Sequence, residues 1–364
     1  RNGQVAIGRL ERFLGDWEAA QAAAELPVPA QPSGKKVALV GGGPAGLTAA
    51  ADLVKLGHGV IIFEALHRMG GVLTYGIPEF RLPKQIVERE VAYLRGLGVE
   101  MRTDFVIGKT LPVDSLLDTY DAVFIATGAG LPWFMEMPGN NLNGVYSANE
   151  YLTRINLMKG SDFPRASTPV APHRRVAVLG GGNVAMDCAR TALRLGAEVE
   201  VVYRRSRQEL PARAEEVENA EEEGVAFRFL TLPVRTVGDE AFRVTGLECI
   251  RMELGAPDAS GRRSPVKVPD SQFFLPFDGV IHAIGNSPNP LIPAATPGLA
   301  VSSKGTIIVD PASGRTSKER VWAGGDVASG AATVINAMGA GRRAAASIHA
   351  YLCRPDGWTN QELK

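Results

Sequence analysis

Val176 to Thr191 reads VAVLGGGNVAMDCART: a strand pattern, a glycine turn and a helix. The same arrangement stands earlier, in KKVALVGGGPAGLTAAADL from Lys35 to Leu53. An apolar run that enters a tight glycine turn and opens a helix is the sequence form of a phosphate-cradling unit. Two such turns in one chain imply two dinucleotide sites, and they decide the fold.

In the first turn Gly41, Gly43 and Gly46 make GxGxxG. The first glycine permits the turn, the second lets a pyrophosphate approach the backbone, and the third lets helix and strand pack closely. Amides and dipole at the helix start favour phosphate charge. Pro44 suits an early helical position, where its missing amide proton costs little. Glu64 closes the next strand pattern, where its carboxylate can accept hydrogen bonds from an adenosine ribose.

In the second turn Gly180, Gly182 and Ala185 make GxGxxA. No acid closes the following strand; the chain reads VVYRRSRQELP, with Arg204, Arg205 and Arg207. Guanidinium groups bind a 2′-phosphate through charge-assisted hydrogen bonds, and an acid there would repel it. This favours NADPH over NADH. Arg204 and Arg205 follow the apolar strand directly and are the better placed. The alternative is a solvated strand end paired with Glu209 or Glu215. A flavin dinucleotide in the first turn and a nicotinamide dinucleotide in the second would exchange a hydride, chemistry that requires placement rather than a nucleophile or a metal.

The 364 residues exceed one typical domain, so two are expected. Alternating signals make the fold α/β: strands at 60–63, 122–126, 199–203, 280–285 and 320–323 join the two that enter glycine turns. Leu210–Gly224 reads as a solvated helix or a helix bearing a loop, and its acidic tract AEEVENAEEEG as a solvated helix face rather than a metal site. Ala332–Leu352 can hold a long helix, interrupted at its glycines. Ile7, Leu10, Phe13, Leu14 and Trp17 mark one apolar helical face before a Pro-rich linker, Leu26–Gly34.

Basic and acidic side chains balance at 39 each, which argues against nonspecific nucleic-acid binding. Cys188, Cys249 and Cys353 form no CxxC, so neither a neighbouring dithiol nor a disulfide scaffold is expected, and a cytoplasmic compartment fits. The histidines, His58, His67, His173, His282 and His349, show no metal spacing. No apolar run is long enough to insert in a membrane.

The chain resembles the NADPH-dependent glutamate synthase small-subunit family. That family includes the flavoprotein large subunit of electron-bifurcating transhydrogenase, an NADH-dependent ferredoxin:NADP oxidoreductase, and the flavin domain of dihydropyrimidine dehydrogenase. The resemblance is carried by VALVGGGPAGLTAA, GGVLTYGIPEFRLPK, IATGAG, VAVLGGGNVAMDCARTALRLGA, VVYRRSRQELPAR, AIGNSPNP and VWAGGDVASGAATVINAMGAGRRAA, in this order. It implies two Rossmann-like dinucleotide-binding domains: an FAD domain made from 35–145 and 286–364, the latter with a C-terminal tail, and an NADPH domain, 146–285, inserted between those two parts. Residues 1–34 are then an arm and linker, the tail of a missing iron–sulfur domain.

Carried over by position, Gly41, Gly43, Pro44, Ala45 and Gly46 cradle the FAD pyrophosphate and Glu64 holds its ribose. Gly70, Gly71 and Leu73 run alongside FAD, and Thr127 and Gly128 form a second FAD-contacting turn. Gly325 and Asp326 approach the ribityl chain; Ala332, Thr333 and Val334 lie near the isoalloxazine, where a helix start can stabilise reduced-flavin charge. Gly180, Gly182, Asn183, Val184 and Ala185 match the NADPH turn, with Arg204 and Arg205 on the 2′-phosphate. Tyr75 and Phe80 read as core or flavin-covering aromatics; Arg81 and Lys84 fit surface ion pairs or flavin or partner contacts.

The resemblance thus implies an FAD-dependent NADPH oxidoreductase that passes electrons to an iron–sulfur domain or subunit. Partners in the family include a glutamate synthase large subunit or ferredoxin-linked proteins, and GVLTYGIPEFRLPK leans toward the latter group. The cysteine clusters of that iron–sulfur domain are missing before Lys35. The absence of CxxC departs from thioredoxin reductases. The alternative is a flavin-containing nucleotide-binding scaffold or sensor without independent turnover.

Overall fold

The computed structural model describes residues 5–21, 26–259 and 261–354. Its frame is two parallel five-stranded sheets. The first begins with β1 (Lys36–Val40), β2 (Gly59–Phe63), β3 (Glu100–Arg102) and β4 (Ala122–Ile125). The chain then crosses through β5 (Leu131–Pro132) into the second sheet: β6 (Val145–Ser147), β7 (Arg175–Leu179), β8 (Glu198–Val202) and β9 (Ala226–Arg228). Three long strands follow, β10 (Thr231–Gly238), β11 (Val244–Pro257) and β12 (Arg263–Pro276), then β13 (Gly279–His282) and β14 (Asn286–Ser287). Finally β15 (Val321–Ala323) returns to the first sheet.

The orders are β15-β4-β1-β2-β3 and β6-β13-β7-β8-β9. One topology is therefore used twice, with the second sheet's strands drawn from the chain between β4 and β15. β1 in the first sheet and β7 in the second sit where the strand order reverses, and the two glycine turns leave the carboxyl ends of these strands. Ligands bind open α/β sheets at this switch point. The outgoing β5 pairs antiparallel with the returning β14, with Leu131 opposite Ser287, so the two crossings run side by side.

Strand alternation divides each core. Val37, Leu39, Val60, Ile62 and Phe124 pack beneath helices Pro44–Lys55, Lys84–Gly96 and Val334–Cys353. Ala38, Val40, Ile61, Val123 and Ile125 fill the opposite face. In the second domain Val176, Val178 and Val201 face helices Asn183–Arg194 and Ala214–Glu223. Its other face, with Ala177, Leu179 and Val280, meets Leu247, Cys249 and Phe277 of the β10-β11-β12 region instead of helices.

The structure sharpens three local readings. Val334–Cys353 is one continuous helix despite Gly339 and Gly341. A side chain at Gly341 would strike the backbone carbonyl of Ala45, so that glycine allows two helices to cross closely. Leu210–Gly224 condenses to the helix Ala214–Glu223, ended by left-handed Gly224 and half-anchored by buried Val217 and Ala220. The apolar face of helix Ile7–Ala20 exists, but none of its residues is buried. Residues 1–4 and 22–25 of the expected arm lie outside the described residues.

Candidate dinucleotide sites

The first cradle is built from five separate segments. Gly41 takes φ +110° as β1 ends, and its amide donates to the Phe63 carbonyl at 2.8 Å. A Cβ there would press on the Ala126 carbonyl and come within 3.1 Å of the Thr127 Cα, so only glycine fits between β1 and the turn after β4. At Gly46 a Cβ would strike the Gly41 carbonyl. Gly43 differs: it caps helix Pro44–Lys55, and its nearest neighbour would be the Gly71 Cα at 3.9 Å. That face is open, with no close protein packing against it.

Glu64 lies at the end of β2, 7% exposed. Its carboxylate accepts from the Gly42 amide at 2.8 Å and the Leu66 amide at 2.9 Å. Burial pushes its pKa up, against the pull of these amides. The carboxylate thus fixes the glycine turn from behind. Gly42 was missed in the sequence; its signal is the unbroken GGG run, since a Cβ there would strike Met69 and Glu64.

The Gly70 amide donates to the Gly42 carbonyl at 2.8 Å, and Gly71 takes φ +52° beside Gly43. Leu73 then packs on the core. Thr127 is exposed, followed by Gly128 at φ +69°. From the far end of the chain, Gly325 takes φ +76° close to the Ala45 side chain. Asp326 accepts from the Ala332 amide at 3.2 Å, and burial raises its pKa. Thr333 caps the last helix by accepting from the Asn336 amide at 3.4 Å, with Val334 as its first residue. Ala332 and Thr333 are exposed at that helix start. All the first-site residues named from sequence therefore surround one strand end.

The second cradle repeats the design. Gly180 takes φ +140°, with Ala283 against the position of its absent side chain. Gly182 caps helix Asn183–Arg194 and has open space where a Cβ would stand. Asn183 accepts from the Arg213 amide at 3.0 Å, Val184 is exposed, and Ala185 is fully buried in the third position. Here a methyl fits where the first turn demands glycine.

The arginines divide. Arg204 is exposed, whereas Arg205 is 7% exposed and donates to Asp258 at 2.7 Å. The Arg205 Nε is buried with no acceptor among the described residues. Arg207 pairs with Glu221 rather than with Glu209 or Glu215, and Glu209 closes a capping box with Ser206. Asp258 carried no local sequence signal, because it reaches Arg205 from the β11–β12 hairpin.

Two open glycine faces, a shielded carboxylate and an orphaned guanidinium nitrogen fit two dinucleotides. Among the described residues, no group of three His, Cys, Asp or Glu side chains could hold a metal. Cys188 and Cys249 are buried, and burial drives the first thiol pKa well up and the second up to about 12. No described helix is long and apolar enough to cross a membrane.

A family model described as pyridine nucleotide-disulphide oxidoreductase matches residues 35–341. The chain is 45% identical over 351 residues to the NADP(+)-dependent formate dehydrogenase subunit beta of Moorella thermoacetica, covering 96% of this chain and 48% of that one. It is 39% identical over 358 residues to the glutamate synthase [NADPH] small chain of Halomonas elongata, covering 96% and 75%. It thus spans about half the length of the first relative and three quarters of the second. In fold it is similar to Mycobacterium tuberculosis FprA in complex with NADPH, with TM-score 0.74, 21% identity, and 92% and 87% of the chains covered.

Proposed function

Because the chain belongs to the pyridine nucleotide-disulphide oxidoreductase family, we propose that its first cradle holds FAD and its second NADPH. The protein is an FAD-dependent NADPH oxidoreductase related to glutamate synthase small chains. The observation that carries the site assignment is the difference between the two cradles. Buried Glu64 closes the first, suited to a ribose, whereas Arg204 and Arg205 stand at the corresponding strand end of the second.

In this reading Gly43 and Gly71 admit the FAD pyrophosphate, and Glu64 accepts from its ribose. Gly325, Asp326 and the helix start at Ala332–Val334 face the ribityl and ring end. Gly182 and Asn183 admit the NADPH pyrophosphate, and Arg204 binds the 2′-phosphate with Arg205 behind it. The bound pair would supply hydride transfer from nicotinamide to flavin and onward release of electrons.

The electrons are then proposed to pass to an iron–sulfur domain or partner. A glutamate synthase large subunit and a ferredoxin-linked protein are the two partner types, and the GVLTYGIPEFRLPK stretch favours the latter. Two of the three thiols, Cys188 and Cys249, are buried and held protonated, which turns the reading away from a thiol relay despite the family's name.

The test is an anaerobic titration of the FAD-loaded chain with NADPH, read as flavin absorbance near about 450 nm. Bleaching by NADPH, with NADH much less effective, is the expected result. Bound flavin that neither nucleotide bleaches would leave a nucleotide-binding scaffold and sink the oxidoreductase assignment for this chain.

A further inference from the structure

The segment after the first cradle does not stay with the first domain. Asn156, ending helix Ala148–Asn156, donates to the carbonyls of Tyr75 at 3.2 Å and Gly76 at 3.3 Å. The Phe80 ring then stands 4.7 Å from the guanidinium of Arg190 and 4.1 Å from that of Arg194. Next to it, Arg81 donates through Nη1 to both oxygens of Asp187, at 2.7 and 2.8 Å. Its Nη2 pairs with Glu216 at 2.7 Å. Asp187, Arg190 and Arg194 lie on helix Asn183–Arg194, and Glu216 on helix Ala214–Glu223.

This contact is anchored at both ends. Lys84 donates to the carbonyls of Leu73 and Leu82, at 2.9 and 3.2 Å, and also to that of Ile77, so the segment is folded on itself. On the other side Arg190 joins Glu216 to Glu223, extending the network across two helices. Asp187 and Glu216 are largely buried, with 7% and 12% of their side chains exposed. Removing one partner of such a pair strands the other charge away from water.

The placement carries the meaning. Gly70, Gly71 and Leu73 at one end belong to the first cradle. Asp187 at the other end is on the helix whose start forms the second. The covalent links between the domains are the paired crossings β5 and β14, a narrow two-stranded ribbon with only two paired positions. A contact away from that ribbon is a second tie between the domains.

We propose that Tyr75–Lys84 is an interdomain strap in which Arg81 is a positioning residue, holding the second glycine turn in a fixed orientation to the first. This rests on the reading that the two cradles hold the two exchanging dinucleotides. A misplacement of about 1 Å between reacting groups can cost roughly 100-fold in rate, so the orientation of the two domains matters to the transfer step.

The experiment compares FAD-loaded wild type with Arg81→Ala, Arg81→Lys and Asp187→Asn by small-angle X-ray scattering and anaerobic stopped flow with saturating NADPH. Arg81→Ala is expected to enlarge the radius of gyration and slow flavin bleaching by about tenfold or more. Arg81→Lys, which keeps the charge but lacks a second nitrogen to reach Glu216 together with Asp187, should fall between. The dissociation constant for NADP+ should move less than about threefold, since no nucleotide contact is removed. Unchanged scattering in all folded variants, or wild-type bleaching rates despite changed scattering, overturns the strap. Failure of wild type itself to bleach would defeat the oxidoreductase reading, while scattering alone would still decide whether the strap holds the domains.

Discussion

Arg205 and Asp258 meet at 2.7 Å at the edge of the second cradle, which separates the roles of two adjacent arginines. Arg205 is buried and committed to a carboxylate, while Arg204 faces solvent at the strand end. In the proposed reading Arg204 is the side chain that closes on the 2′-phosphate, and Arg205 is the anchored charge behind it. Charge-assisted hydrogen bonds are worth about 1.5–3 kcal/mol, so Arg204→Ala should weaken NADP+ binding roughly 10- to 100-fold. Binding of NAD+, which lacks the 2′-phosphate, should barely change. Arg205→Ala should also lower thermal stability, because it leaves Asp258 without that partner. Calorimetric titration with both nucleotides decides the matter: equal weakening of NADP+ and NAD+ by Arg204→Ala would exclude the phosphate role.

The glycines allow folding to be separated from cofactor binding. Gly43 and Gly182 have ordinary backbone angles and open space beside them: a methyl at Gly43 would meet nothing closer than the Gly71 Cα at 3.9 Å, and one at Gly182 nothing within 4 Å. Gly43→Ala should fold normally yet lose FAD, whereas Gly182→Ala should keep FAD and lose NADP+ affinity. In each case the methyl would occupy the proposed approach of the pyrophosphate. Gly46→Ala is different, because its methyl strikes the Gly41 carbonyl and costs about 1–3 kcal/mol of stability through overpacking. Flavin content after reconstitution, NADP+ affinity and melting temperature distinguish the three. Normal flavin content in Gly43→Ala would remove the pyrophosphate from that face.

The two cradles are legible in sequence because their requirement is local: a strand, a turn at positive φ and a helix start, all within a few residues. Glu64 is legible for the same reason, at the end of the adjacent strand. What escapes is set by distant packing. Gly341 reads as a helix interruption, yet its lack of a side chain is what lets the last helix cross Pro44–Lys55 near Ala45. The strand β12 contains Pro265 and Pro269, which weaken any local strand signal, and it is tolerated at the edge of its sheet. Arg81 could be a surface, flavin or partner residue until the fold brings Asp187 to it from the other domain.

His282 is expected to make the stability of the second domain sensitive to acid. It ends β13 with 1% of its surface exposed, its ring 5.0 Å from that of Phe134. The Nδ1 atom accepts from the Met135 amide at 3.2 Å, which places the neutral ring's proton on Nε2. Protonating Nδ1 would break that bond and charge a buried ring. Burial accordingly pushes the pKa down to about 4 from the ordinary 6.5. Since the folded value lies below the unfolded one, the unfolded chain takes up the proton first. The contribution to stability is full above pH 6.5 and is lost as pH falls from there toward 4. Between pH 7.5 and 5 the loss from this residue alone is about 2 kcal/mol, at about 1.4 kcal/mol for each pH step below the unfolded pKa. His282→Asn retains an acceptor for Met135 but cannot titrate. Its melting temperature should therefore drop less than that of wild type between those two pH values. Parallel drops in the two proteins would mean that the acid sensitivity lies elsewhere.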